Sequence, residues 1–322
     1  MKKGVRKIFA FTTSFALIGT GIGVTICHEL SYKTERSIER YVESFDDDDF
    51  QIAAHRGFSS LEVENTLPSI EKAADAKYVD FIEMDVRLTK DDYLVLSHNN
   101  EVTLLNGKEI RIKDTKYEDL EKYSLRYGTN YIFTMKDALF NYQDGSLIHK
   151  RKAALDGETY CVPTLKQGLE AVKGKRVLLD LKFENDKEDF ADRLFYELED
   201  FDKDQIIIQS LDLESLDYMR EQHPEYTYLA LIHRKKDLHY LDKFDNIGIE
   251  QGLLSNPEVL KAIDDPDRFV AVWTLNTMKD VKKACDTLEE HCDDVLYITD
   301  YPDVASYTLQ NEKTKRLVKE KH

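Results

Sequence analysis

The side chains of this chain that could do chemistry together are two imidazoles, His55 and His98, two cations, Arg56 and Lys182, and three carboxylates, Glu83, Asp85 and Asp180. Glu83 and Asp85 stand two apart in a strand-like run, so both project from one face while Met84 points to the other. Two carboxylates on one strand repel each other unless a cation lies between them, and Asp180 supplies a third inward acid at the end of the next strand. Together they predict a metal site, and an oxygen-only donor set suits one Ca²⁺, Mg²⁺ or Mn²⁺ rather than zinc. The competing structural reading is that the acids satisfy neighbouring lysines and arginines. Histidines titrate near neutrality, so His55 and His98 could flank a phosphodiester and divide the proton transfers, one accepting from the nucleophile and the other donating to the leaving alkoxide. Arg56 and Lys182 suit nonbridging phosphate oxygens, with salt bridges inside the fold as the alternative. Glu64 and Asn65 begin the first helical stretch, either as caps or as supports of a histidine or the metal.

These residues need a scaffold that gathers them. Strands are predicted at Gln51–His55, Tyr78–Arg87, Arg176–Lys182, Gln205–Gln209, Tyr226–Ile232, Asn246–Ile249, Phe269–Thr274 and Val295–Thr299. Helical stretches such as Asn65–Lys77, Thr164–Val172, Ser215–His223 and Thr277–His291 fall between them. The alternation predicts an α/β fold, a TIM-type (β/α)8 barrel over residues 50–310. Tyr93–Ser97 follows the second strand too closely for a crossover, so it must hairpin back beside it and carry His98 at its end. Residues 101–160 then leave the repeat, and such an insertion is expected as a cap over the mouth where βα loops gather.

The run Ala54-His55-Arg56-Gly57, followed by Glu64-Asn65-Thr66, Glu83-Met84-Asp85 and His98, resembles in order and separation the signature of the glycerophosphodiester phosphodiesterase family. Gln209-Ser210, Trp273-Thr274-Leu275-Asn276 and Ile298-Thr299-Asp300-Tyr301-Pro302 are similar to later motifs of that family, so the likeness covers roughly Ile52 to Pro302. The resemblance implies a barrel, a divalent cation held by Glu83, Asp85 and Asp180, and His55 and His98 as general acid and base. It also implies hydrolysis of a small-molecule glycerophosphodiester to glycerol 3-phosphate and an alcohol. Trp273, the one tryptophan, would wall the substrate pocket. Two departures stand out: Asp180-Leu181-Lys182 replaces the family's Glu-x-Lys, and Asn99 replaces the Asp that follows the second histidine. A lysophospholipase D-like activity is one alternative, with Tyr131-Ile132-Phe133 and Leu139-Phe140 as acyl contacts. A catalytically silent cell-surface binding protein is the other, supported by Asn99 and Asp180 alone.

The remaining organisation follows from charge. Lys2, Lys3, Arg6 and Lys7 precede a stretch without charged residues from Ile8 to Cys27, long enough as a helix to span about 30 Å. Its length and the absence of a small-x-small site favour an uncleaved transmembrane anchor over a cleaved signal peptide. The basic end would stay cytoplasmic, so residues 1–28 tether a polar stalk at 29–49, and everything beyond lies on the extracytoplasmic side of the cell membrane. The stalk ends in Asp46-Asp47-Asp48-Asp49, which lacks the glycine and later glutamate of a calcium loop and reads as a solvated linker. Residues 311–322 read as a charged tail. A net charge of −17 without a Lys/Arg stripe argues against a nucleic-acid partner and demands local cations for an anionic substrate. Outside the anchor, Cys161, Cys285 and Cys292 form no disulfide framework. Protease added to intact cells should therefore remove the catalytic part. A C-terminal tag that survives until lysis would overturn this topology.

Overall fold

A computed structural model describes residues 50–104, 108–121, 160–184, 187–265, 267–289 and 291–319 of the protein. The anchor, stalk and acidic run lie outside the described residues, as do Tyr131–Phe133 and Leu139–Phe140 of the expected cap. Among the described residues, no helix is long and apolar enough to cross a membrane.

The strands are β1 (Gln51–Ala54), β2 (Phe81–Leu88), β3 (Leu94–Leu96), β4 (Glu101–Thr103), β5 (Glu109–Arg111) and β6 (Arg176–Leu181). They continue as β7 (Ile206–Ser210), β8 (Thr227–Ile232), β9 (Asn246–Glu250), β10 (Val270–Trp273) and β11 (Val295–Thr299). Pairing runs β1-β11-β10-β9-β8-β7-β6-β2, and β1 also pairs with β2, which closes an eight-stranded parallel barrel. The helices are α1 (Leu67–Asp75), α2 (Tyr117–Glu121), α3 (Leu165–Ala171), α4 (Lys187–Leu198), α5 (Leu213–Gln222), α6 (Pro257–Ile263), α7 (Met278–Leu288) and α8 (Pro302–Lys319). α3 starts on a capping box, with the Thr164 hydroxyl accepting from Gln167 N–H and the Gln167 side chain accepting from Thr164 N–H.

Side-chain alternation along the strands builds two apolar layers. Phe81, Leu178, Ile207, Leu229, Ala271 and Leu296 fill the barrel interior. Their neighbours in sequence, such as Ile82, Leu179 and Ile208, pack outward against the helices. Along β2 the same alternation carries Phe81, Glu83 and Asp85 inward and Ile82, Met84 and Val86 outward. The interior is therefore apolar at its base and acidic near the carboxyl ends of the strands.

β3 pairs antiparallel with the far end of β2, Val86 opposite Leu96, as the short connection requires, and delivers His98 to the mouth. The described part of the insertion holds the β4–β5 hairpin, a 3-10 turn at Ile112–Asp114 and α2, packed on a small core that includes Val95, Leu104, Ile112 and Leu120. Two expectations need correction. The first helix begins at Leu67, with Thr66 at its N-cap position, so Glu64 and Asn65 precede it. The last helix runs to Lys319, so the presumed tail at 311–322 starts inside a helix. Within it Glu312 is buried and accepts from the half-exposed Lys282 of α7 at 2.7 Å, which joins this part of the helix to its neighbour.

Gly57 turns the chain out of β1 at φ +77°, and a Cβ there would lie 2.2 Å from Ser69 Oγ and 2.7 Å from Ser69 C. Both the left-handed backbone and the close approach of α1 exclude a side chain. Gly57→Ala should cost more than about 2 kcal/mol, read as a thermal midpoint lowered by ~5 °C or more. An unchanged midpoint would show that the turn can relax.

Candidate active site

The mouth of the barrel collects side chains from the ends of several strands. Glu83 and Asp85 on β2 are each 1% exposed and Asp180 on β6 is 7% exposed, with Asp85 and Asp180 facing each other in strand register. One oxygen from each of the three lies within 4.8 Å of the others. Such a cluster is unstable without compensation. Lys182 Nζ sits 2.9 Å from Asp85 Oδ1 and 2.6 Å from Asp180 Oδ2, and Arg56 Nε sits 3.2 Å from Asp85 Oδ2. Asn65 donates to Asp85 Oδ2 at 2.8 Å and accepts from Asp85 N–H at 3.0 Å. Arg56 N–H donates to Glu83 Oε2 at 2.7 Å, an approach its main chain reaches at φ +58°. Glu64 accepts from Arg56 NH1 with both oxygens, at 3.0 and 3.1 Å.

The compensation is incomplete. Three carboxylates face two fixed cations, and Glu83 Oε1 and Asp180 Oδ1 are buried with no hydrogen-bond partner among the described residues. Burial, with Asp85 adding to it, pushes Glu83 up to about 8. Burial likewise raises Asp180 despite the Lys182 contact, with Asp85 adding to the rise. For Asp85 the burial penalty is outweighed by Lys182 and Arg56, which hold it well below the usual carboxylate range. Unsatisfied hard oxygens and acids reluctant to ionise describe a place that lacks a positive charge. The donor set therefore fits a divalent oxygen-seeking cation.

The two histidines are set up differently. His55 Nδ1 lies 2.6 Å from Asp300 Oδ1, and a carboxylate only accepts, so Nδ1 carries the hydrogen and Nε2 faces the acids, 4.0 Å from Glu83 Oε2. Asp300 is itself oriented by the Asn276 amide at 2.6 Å and the Ser59 hydroxyl at 3.2 Å. Burial opposes protonation of His55, yet Asp300 and Glu83 outweigh it and raise its pKa. His98 Nδ1 lies 3.1 Å from the Asn99 amide oxygen, which leaves Nε2 as a free lone pair. Burial pulls the His98 pKa down, with Arg56 and Lys182 acting the same way and Asp85 against.

Sequence reasoning thus placed His55, Arg56, Glu64, Asn65, Glu83, Asp85, His98, Asp180 and Lys182 in one electrostatic neighbourhood. Asn65 supports Asp85 and Glu64 holds Arg56, so neither caps the helix. Trp273 stands apart from the acids, three strands round the ring from β2, against the interior layer and with its ring 6.5 Å from that of His233. The residue missed was Asp300, which lies in a quoted motif but 245 positions from His55. Only the closing pair β1–β11, with Ala54 opposite Thr299, brings them together.

The sequence profile of the glycerophosphoryl diester phosphodiesterase family matches residues 55–304. The chain belongs to this family. Among curated relatives it is similar to lysophospholipase D GDPD1 of Homo sapiens, 25% identical over 179 residues that cover 54% of this chain and 49% of that protein. It therefore spans about half the length of that relative. Among solved structures, a protein from Silicibacter pomeroyi DSS-3 described as a glycerophosphoryl diester phosphodiesterase aligns with TM-score 0.66 and 18% identity, over 82% of this chain and 94% of that one. A phosphodiesterase from Oleispira antarctica in complex with the product sn-glycerol-3-phosphate aligns with TM-score 0.58 and 20% identity, over 81% and 96%. Both solved structures share the fold described above.

Glu83 retains a proton between its unfolded value of 4.5 and its folded value of about 8, so without a metal the stability of this family member should fall as pH rises through that window. The thermal midpoint in chelator should drop across it, and Mg²⁺ or Ca²⁺ should restore it most at the upper end. Glu83→Gln should flatten the dependence. A midpoint indifferent to divalent ions at the upper end would assign the acids to Arg56 and Lys182 alone.

Proposed function

We propose that this chain is a metal-dependent glycerophosphodiester phosphodiesterase that releases glycerol 3-phosphate and an alcohol. The observation that carries the reading is the mouth itself: a buried acidic triad short of positive charge, between one histidine poised to give a proton and another poised to take one. Membership of the family and the product bound in the Oleispira antarctica relative support the substrate class. Glu83, Asp85 and Asp180 would hold the divalent cation, Ca²⁺, Mg²⁺ or Mn²⁺, which when bound draws charge from a phosphate oxygen. Arg56 and Lys182 neutralise the remaining nonbridging charge as it grows.

His55 keeps its Nδ1–H on Asp300, so its Nε2 can hold the second proton and deliver it to the leaving alkoxide. His98, neutral near pH 7 with its Nε2 lone pair open, takes the proton from the attacking oxygen. Trp273 contributes an aromatic wall on the far side of the mouth. The reading extends to location: residues 8–27 tether the enzyme, and the barrel works on the extracytoplasmic side.

A second reading, lysophospholipase D-like cleavage, is favoured by the name of the human relative. The bond broken has the same chemistry, and comparing turnover of glycerophosphocholine with a lysophospholipid separates the two. A silent binding protein is the third reading, opposed by the intact set from His55 to Lys182.

Chelation should abolish turnover, and Ca²⁺, Mg²⁺ or Mn²⁺ should restore it. His55→Ala and His98→Ala should each lower turnover by about 10²- to 10⁴-fold while the barrel stays folded. With a p-nitrophenyl leaving group, which needs no proton, His55→Ala should recover most of its loss and His98→Ala should not. Equal losses on both substrates in both variants would reject this division of labour, and full activity after exhaustive chelation would remove the metal.

A further inference from the structure

A second charged cluster lies beside the acidic triad and has no part in the chemistry above. Arg87 lies two residues beyond Asp85 on β2, on the same strand face. Its guanidinium donates from Nε and NH2 to the main-chain oxygen of His98, at 3.1 and 2.6 Å. From NH1 it donates to Glu184 Oε1 at 2.9 Å, in the segment after β6. Glu184 Oε2 accepts from the Asn100 amide at 3.0 Å, and the Glu184 main-chain oxygen accepts from Lys113 Nζ at 2.6 Å. Asn100 Oδ1 in turn accepts from Lys113 N–H at 3.1 Å. His98 is thus held directly from a barrel strand by Arg87, and Arg87 is in turn braced by Glu184 after β6, which the 3-10 turn of the insertion contacts through Lys113.

His55 and His98 differ in what anchors them. The His55 ring is tied to Asp300, just beyond the end of β11. The His98 ring bonds to Asn99, the next residue, which moves with it and cannot fix it to the barrel. The β2–β3 ladder ends one residue earlier, where Ser97 N–H donates to Asp85 O at 3.0 Å. Beyond that point the forked contact from Arg87 joins His98 to the wall that carries Glu83 and Asp85. A lysine could not reproduce it, because two parallel N–H groups on one oxygen need the planar guanidinium.

We infer that Arg87, braced by Glu184, is a positioning residue that holds His98 at working distance from the triad. Through Lys113 and Asn100 it also ties the insertion to the chemistry. The inference rests on the reading of His98 as a proton acceptor. A misplacement of about 1 Å in such a group costs on the order of 10²-fold in rate.

The test is a double-mutant cycle on the full chain loaded with Mg²⁺. Arg87→Met should lower kcat by about 10- to 100-fold with KM changed less than about twofold, and Arg87→Lys should fall between it and the wild type. Placed in a His98→Ala background, Arg87→Met should cause almost no further loss, because the group it positions is gone. A merely structural arginine would lower both backgrounds alike, so an equal loss in His98→Ala overturns the inference, as does an unaltered kcat in Arg87→Met. Should Arg87→Met unfold, Glu184→Gln is put through the same cycle: a kcat loss that disappears in His98→Ala supports the inference, and a loss that persists overturns it. Full turnover by His98→Ala alone rejects the reading of His98 beneath it, and that result needs no Arg87 substitution.

Discussion

The structure is organised around the burial of three carboxylates in one small volume. An isolated buried carboxylate is strongly disfavoured, and three within 4.8 Å of one another would be untenable without neighbours of opposite sign. The contacts of Arg56, Lys182 and Asn65 read as answers to this one problem. Asp85 is answered most fully, with two cations and an amide beside it, and its acidity is high, although its Oδ1 makes an ion pair with Lys182 rather than a hydrogen bond. Glu83 and Asp180 are answered only in part, and each keeps an oxygen without a partner. The remaining deficit is what makes the place suited to a divalent cation rather than to a closed salt-bridge network.

The same constraint explains how a chain of net charge −17 can present a site suited to an anion such as the proposed phosphodiester. Arg56 and Lys182 lie at the mouth, fixed by the acids they neutralise, and their side chains stay 18% and 13% exposed. A cation bound to the triad would turn an acidic locus into a receptive one without altering the outer surface. The whole-protein charge speaks to partners and solubility, while the local field decides the ligand.

The two departures from the family pattern are readable in these terms. Asn99 still offers an oxygen to His98 Nδ1, so the ring keeps its tautomer, but without the charge that would favour an imidazolium. That is what the base role proposed for His98 requires. Asp180, one methylene shorter than glutamate, remains at the level of Asp85 across the β2–β6 pair and still meets Lys182. Neither change removes a donor from the site.

Much of this was determined by the sequence itself. Strand periodicity set Glu83 and Asp85 on one inward face, the spacing of apolar runs counted eight strands, and the short link after Leu88 demanded the hairpin that carries His98. These are local consequences of side-chain alternation and chain length, so one strand at a time suffices to read them. The Asp300–His55 pair, the Arg87–Glu184 brace and the positions of Glu64 and Asn65 ahead of α1 were decided by tertiary structure. Each depends on which strands become neighbours when the barrel closes, or on where a loop is pulled by a distant charge. Periodicity carries no record of such contacts: they join residues as far apart as 245 positions, and their energy exists only once both ends are desolvated together.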